Sequence, residues 1–376
     1  MSNPVTVGTA TGVPGQIVYG TFEGVPLPTG GKDSFPVIVA QGKEEGPVLW
    51  LTGSIHGNEH SGLAVIHRLL GPGGADFPLH LLRGAVVMVP TLSPAGLRAE
   101  SRSPYYGRGA DPNRLFPAPQ RARQRADPET DKDTVSVLER VYERLFACIE
   151  ATADYLIDLH NAVPGSIPFA FRDPIYYDGE QDKAAARKLQ ARTDEMLKAF
   201  GLPIINEFPS AEYIKKNLHR SVSGSTLNRA RRPAITAELG SYLLVDIPAR
   251  EAATVGIRNV MRWAGMLPGE REPMPPIPRP KVNFPVRRMM HPRAPTSGIV
   301  THLVDAGDVV HKGDVVARLT DIYGRPFGPE GGLLRTEHDG FVVGRMQGLV
   351  YYENEPVLWM AVRDDNDLLL PYPDEG

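Results

Sequence analysis

The chain has 376 residues, of which 41% are hydrophobic and 23% charged, and its formal net charge is -3. That length exceeds one ordinary domain and leaves room for a sizeable core, while the near-balance of charge excludes bulk attraction to nucleic acid or to a membrane surface. No run reaches the roughly 18 apolar residues of a membrane helix, and Met1 to Gly20 lacks a basic start followed by an apolar centre. A cytoplasmic protein is therefore expected. The one cysteine, Cys148, cannot form an internal disulfide, so any metal must use His and carboxylate ligands.

Residues 1–46 alternate short Val/Ile-containing pieces with Gly and Pro, which predicts an antiparallel hairpin leading into a sheet. From Pro47, PVLWLTGS is a continuous apolar run of the kind shown by a strand buried on both faces; GAVVMVP (Gly84 to Pro90) and DYLIDLH (Asp154 to His160) repeat it. Leu138, Val141, Tyr142, Leu145, Phe146 and Ile149 fall on one face of a helix that feeds the strand before His160, with Cys148 on its apolar side as a packed thiol. A second helix spans Lys183 to Phe200 and stops at Gly201 and Pro203. Strands alternating with helices predict an α/β domain with a largely parallel or mixed sheet. Prolines and charges crowd Leu267 to Pro295 too densely for a helix or a central strand. The expected division is a domain over 1–266, a Pro-rich linker over 267–285 and a small all-β module over 286–376, whose β-branched runs are separated by Ala-Gly-Asp and Lys-Gly-Asp turns.

PVLWLTGS runs straight into IHGNEHSG, placing His56 and Glu59 at the carboxyl end of a buried strand, where open α/β sheets usually carry their sites. Three residues apart on a tight turn, a His and a Glu can grip one ion, although H-x-x-E alone also fits an ordinary polar loop. DYLIDLHNA brings His160 to the same rim. Two His and one Glu around an open fourth position make a catalytic zinc set, with room for a water that the metal acidifies. Asp158 either orients an imidazole or is a solvated carboxylate at the strand end. His67 reads as a structural residue in mid-helix and His60 as a polar neighbour.

A reacting water also needs a base. PAITAELG carries Glu238 to the end of another buried strand, and an uncompensated buried carboxylate is often functional; the alternative is a salt bridge with Arg229, Arg231 or Arg232. Between His56 and His160, the loop SRSPYYGRGADPNRLFP sets Asn113 beside Arg114. A guanidinium fork with an adjacent amide can hold a carboxylate, against the commoner case of a surface arginine with no such duty.

Together H-G-N-E at 56–59, D-P-N-R-L-F-P at 111–117, D-L-H at 158–160 and T-A-E-L-G at 236–240 resemble the succinylglutamate desuccinylase/aspartoacylase family of zinc carboxypeptidase-like hydrolases, in order and spacing over roughly residues 45–265. The resemblance implies a mixed-sheet carboxypeptidase-like domain flanked by helices, with one Zn2+ per chain on His56, Glu59 and His160. It implies Glu238 as the general base, an upstream arginine that steadies the oxyanion, and a grip on the substrate carboxylate by Asn113 and Arg114. Arg102 is the arginine chosen. Because Ser103 to Asp111 is slightly longer than the family pattern, Arg98 and Arg108 stay as alternatives, and Pro112 replaces the more usual leucine. APTSGIVTHLVDAGDVVHKGDVVARLTD resembles half of a biotinyl/lipoyl-type barrel, but its tip, Thr320 to Tyr323, offers no lysine for a cofactor, so a structural or substrate-gating module is expected.

The function implied is hydrolysis of a small N-acylated amino acid bearing a carboxylate, in a homo-oligomer of two or four chains. A metallocarboxypeptidase acting on peptide C-termini would share every metal and base residue. A non-catalytic binding protein would have no need of Glu238.

Overall fold

The apolar runs and helical faces of the sequence fold into one long mixed sheet covered by helices, in a computed structural model that describes residues 4–119, 136–346 and 348–372. Strands β1 (Gln16–Pro26) and β2 (Lys32–Gln41) form the expected hairpin. Then follow β3 (Glu44–Gly53), α1 (Ser61–Leu70), β4 (Arg83–Val89), α2 (Val137–Thr152), β5 (Tyr155–Ala162), β6 (Phe169–Arg172) and α3 (Gly179–Phe200). After these come β7 (Ile204–Asn206), α4 (Val222–Asn228), β8 (Ala234–Ser241) and α5 (Ile247–Trp263). Among the described residues no helix is long and apolar enough to cross a membrane.

β3 pairs in parallel with β4 and β5, and β5 with β8, whereas β8 meets β6 antiparallel. Side chains alternate across these strands, so Leu49, Leu51, Ile157 and Leu159 face one core under α1, α3 and α5 while Trp50 and Leu156 face a second core under α2. This double burial is why the strands read as unbroken apolar runs. On α2 the six residues of the predicted apolar face are all buried. The helix starts with a capping box, in which Ser136 Oγ accepts from the Glu139 amide at 3.2 Å and Glu139 Oε2 accepts from the Ser136 amide at 2.9 Å. Cys148 is half-buried on it, and burial pushes its thiol pKa up. α3 ends where Gly201 takes the left-handed conformation, φ 83°.

Residues 267–285 form neither helix nor strand, as the prolines require. Beyond them the described chain is β-structure with one short 3-10 turn: β9 (Val286–Met290), β10 (Gly298–His302), β11 (Val309–Val310), β12 (Val315–Thr320), β13 (Leu333–Arg335), β14 (Gly340–Arg345), β15 (Val350–Tyr351) and β16 (Leu358–Arg363). β9 does not stand apart. It pairs in parallel with β7, Asn206 opposite Arg287, so the main sheet runs β11-β14-β16-β9-β7-β6-β8-β5-β3-β4-β2-β1. A smaller sheet, β13-β12-β10-β15, packs beside it. The seam is apolar: Phe169 and Phe171 of β6 pack on Trp359 of β16, with the Phe169 and Trp359 ring centroids 5.7 Å apart. Each large side chain buried there contributes roughly 1.5–3 kcal/mol.

Candidate metal centre and active site

The metal ligands expected from sequence come together on the turn after β3 and near the end of β5. Ser54, at φ 45°, bends the chain out of β3, and its hydroxyl donates to the Glu59 carbonyl at 2.8 Å. The Glu59 amide then donates to the His56 carbonyl at 3.0 Å. This tight turn points both side chains inward. His56 Nδ1 lies 2.7 Å from Glu59 Oε1, and His160 Nδ1 lies 2.8 Å from Glu59 Oε2. All three residues are buried, and one ligand atom from each lies within 4.8 Å of the others.

The outer nitrogens are also held. His160 Nε2 is 2.7 Å from Asp158 Oδ2, and Asp158 Oδ1 accepts from the Thr52 hydroxyl at 2.7 Å, so Asp158 is fully buried and orients the imidazole rather than standing in solvent. His56 Nε2 is 2.9 Å from Asp111 Oδ1. Asp111 was not foreseen in this role. It lay within the motif D-P-N-R, whose Asn and Arg drew the reading. Two imidazoles whose Nδ1 atoms converge on one carboxylate, each fixed from behind by another carboxylate, suit a divalent cation. Burial works against charge on His160, but Asp158 and Glu59 hold its pKa well above the ordinary value. Burial likewise opposes ionisation of Glu59, yet His56 and His160 hold its carboxyl far below the usual range.

The trio lies in the wall of a cavity of about 450 Å³, a size suited to a small ligand. Glu238 lines the same cavity from β8, directly opposite His160 in the ladder. Its Oε2 is a buried atom with no hydrogen-bond partner, so none of the three candidate arginines meets it: Arg229 lies 3.5 Å from Glu150, Arg231 pairs with Asp182, and Arg232 is exposed. Burial, with the Glu59 charge adding to it, pushes the Glu238 pKa up to about 7.

Arg102 reaches the cavity, its Nη1 3.3 Å from Glu59 Oε1 and its Nη2 2.8 Å from Asp111 Oδ2. Of the two alternatives, Arg98 is tied to Asp33 at 2.6 Å, and Arg108 is an exposed residue at φ 50°; neither lines the cavity. Asn113 and Arg114 both line it. Asn113 Oδ1 accepts from the Val222 amide at 2.9 Å, which fixes the loop against α4, and Arg114 Nη1 donates to the Asn113 carbonyl at 2.7 Å. Burial lowers the Arg114 pKa despite Asp111 nearby. His60 occupies the N-cap position of α1 without a side-chain capping bond, His67 sits on the helix's exposed face, and neither joins the metal group.

The far wall was not anticipated. Arg288 and Met290 of β9 and Trp359 of β16 line the cavity together with Asp173 and Glu207. Arg288 Nη1 donates to Glu207 Oε1 at 2.6 Å, and its guanidinium lies 4.1 Å from the Phe208 ring centroid and 5.1 Å from that of Trp359. No local motif marks these residues, because strands remote in sequence bring them together.

Comparison with known proteins agrees with this architecture. Residues 45–264 match the succinylglutamate desuccinylase/aspartoacylase catalytic domain. The chain is 26% identical over 313 residues to N-alpha-acetyl-L-2,4-diaminobutyric acid deacetylase of Halomonas elongata, covering 82% of this chain and 80% of that one. A succinylglutamate desuccinylase from Silicibacter has the same fold, with a TM-score of 0.70 at 19% identity over 96% of this chain and 98% of the other. So does the product-bound ectoine utilization protein EutE of Ruegeria pomeroyi, with a TM-score of 0.68 at 22% identity and the same coverage. With the domain match spanning well over half of its length and enclosing the His-Glu-His group and Glu238, the chain belongs to the succinylglutamate desuccinylase/aspartoacylase family.

Proposed function

We propose that this chain is a zinc-dependent amidohydrolase that removes the acyl group from an N-acylated amino acid. The observation that carries the proposal is the convergence of His56, Glu59 and His160 in a cavity that also holds the unpartnered carboxylate oxygen of Glu238. The relative named for deacetylation of an N-acetylated amino acid supports the same reaction class.

In this reading one Zn2+ per chain is held by His56, Glu59 and His160, and when bound it supplies a Lewis acid for the acyl carbonyl and lowers the pKa of a water. Glu238 takes a proton from the attacking water, whose oxygen forms the new bond to the acyl carbon. The C–N bond then breaks, and Glu238 returns the proton to the departing amine, leaving a carboxylate and a free amine. A base whose pKa is raised towards neutrality can both accept and return that proton. Arg102, beside Glu59, is placed to steady the negative charge that develops on the carbonyl oxygen. Asn113 and Arg114 hold the substrate carboxylate, Arg114 by its guanidinium fork.

The division into residues 1–266, 267–285 and 286–376, the biotinyl/lipoyl character of the last part, a cytoplasmic location and a dimeric or tetrameric assembly belong to the same reading. Ile322 and Tyr323, where a carrier domain would present its lysine, stand exposed at a turn, in keeping with a module that shapes the cavity instead of carrying a cofactor. A carboxypeptidase would need an open cleft for a peptide. Arg288, Met290 and Trp359 closing the far wall favour the small substrate.

The test is metal content by elemental analysis for wild type and His160→Ala, with release of free amine followed across a panel of N-acyl amino acids and dipeptides. About one zinc per wild-type chain, lost in the variant, together with turnover of at least one N-acyl amino acid, is the expected result. Protein purified without chelator yet free of metal would sink the mechanism, and cleavage of dipeptides alone would move the substrate to peptides.

A further inference from the structure

Away from the cavity, a second group of side chains has the make-up of a metal site. β9 ends at Met290, and the next residue, His291, meets the loop that joins β13 to β14, where Glu337 and His338 stand side by side. One ligand atom from each of the three lies within 4.8 Å of the others. The two imidazoles meet edge to face with ring centroids 5.1 Å apart, close to the 5.2 Å that separates His56 from His160. The donor set is also the same, two imidazoles and one carboxylate, which suits zinc and its neighbours in the first transition row better than calcium or magnesium.

The backbone around the group is held without any ion. Thr336 is buried; its hydroxyl accepts from the His338 amide at 3.2 Å and donates to the His338 carbonyl at 3.1 Å, and its own carbonyl accepts from the Gly313 amide at 2.8 Å. His291 Nε2 accepts from the Glu337 amide at 3.2 Å, which brings the two segments together. In a neutral imidazole the nitrogen that accepts is the one with the lone pair, so a cation taking it would displace only that contact. The Glu337 carboxylate and the His338 ring nitrogens make no hydrogen bond or ion pair among the described residues, so both can turn to an ion without breaking anything. The setting differs from that of the first group. His291 and His338 are half-buried, Glu337 is exposed, and no carboxylate is hydrogen-bonded behind either ring among the described residues, which makes for weaker binding.

We infer that His291, Glu337 and His338 form a second zinc site, weaker than the first and completed by water. A cation there ties the end of β9 to the loop between β13 and β14. Met290, next to His291, lines the cavity, so the tie also steadies that wall. The assignment does not depend on the amide-hydrolysis reading, because it concerns other residues and a separate metal.

The test is equilibrium dialysis of the tag-free, full-length protein against a series of buffered free-zinc concentrations, with bound metal counted by elemental analysis. Wild type is expected to take up about one zinc per chain beyond what it retains on purification. Glu337→Gln, which changes only an exposed side chain without partners, and His338→Ala should bind that additional zinc at least about 10- to 100-fold more weakly, since losing even an outer partner of a ligand costs that much. Thermal unfolding gives a second readout: zinc added to the purified protein should raise the wild-type midpoint and leave those of the two variants behind. Wild type that takes up no further zinc overturns the assignment. So does an additional zinc held equally by wild type and Glu337→Gln, which would belong to other residues. The comparison with Glu337→Gln stands even if His338→Ala fails to fold. In His160→Ala the first zinc should be lost and the second kept. Wild type lacking the first zinc would sink the proposed mechanism, yet the difference between wild type and Glu337→Gln would leave this site in place.

Discussion

The two walls of the cavity are built on different terms. The metal wall comes from compact stretches, the turn at His56 and Glu59 and the end of β5 at Asp158 and His160, and every ring nitrogen in it has a carboxylate within 2.9 Å. The far wall is assembled from the segments that follow β6 and β7, and from β9 and β16 of the C-terminal region, and it pairs Glu207 with Arg288 while Asp173 has no cation in contact among the described residues. The first wall is prepared for one small ion, whatever the substrate. On the proposed reading the second wall meets only the substrate, so chemistry and specificity reside in separable parts of the molecule.

The sharpest way to probe that separation is Glu238→Gln. Removing the base while keeping the side-chain shape should lower kcat by roughly 10²- to 10⁴-fold with zinc content unchanged, as read by elemental analysis beside steady-state rates. Because Glu238 must be ionised to accept a proton and burial raises its pKa, wild-type activity should fall on the acid side of a limb lying above the ordinary carboxylate range. The residual rate of the variant should lack that limb; a limb that persists would assign it to another group. Next in size is Asp111→Asn, which leaves His56 Nε2 a weaker acceptor. Zinc affinity, measured by competition with a chromophoric chelator, should drop about 10- to 100-fold, and unchanged affinity would show that the outer carboxylate is idle. The smallest effect belongs to the far wall. Trp359→Ala should raise KM by about tenfold, within the range for lost pocket contacts, and leave zinc content as in wild type. Loss of zinc in Trp359→Ala would mean that the two walls are not separable.

The metal wall could be read from the sequence because its determinants are local. Apolar runs buried on both faces announce β3, β5 and β8, and a polar residue at the end of such a run stands out, as His56, Glu59, His160 and Glu238 do. The six buried residues of α2 follow directly from their spacing. Asp111 escaped notice because a carboxylate that serves another side chain 55 positions away carries no periodic signal. The far wall was hidden for a stronger reason. β9 joins β7 through backbone hydrogen bonds that any side chain would permit, so nothing in VRRMM says that its neighbour is IIN. The dense prolines of 267–285 were legible as a break in regular structure, but a break along the chain need not be a break in the sheet.

That continuity has a consequence for any attempt to shorten the protein. Cutting the chain within the Pro-rich segment would strip β9 from β7 and uncover Phe169, Phe171 and Ile205, leaving an unpaired strand edge beside a greasy face. Such an edge is a template for pairing with other chains. The truncated product should therefore clump rather than behave as a smaller enzyme with a wider mouth, because strands β9 and β16 are what keep this apolar face covered.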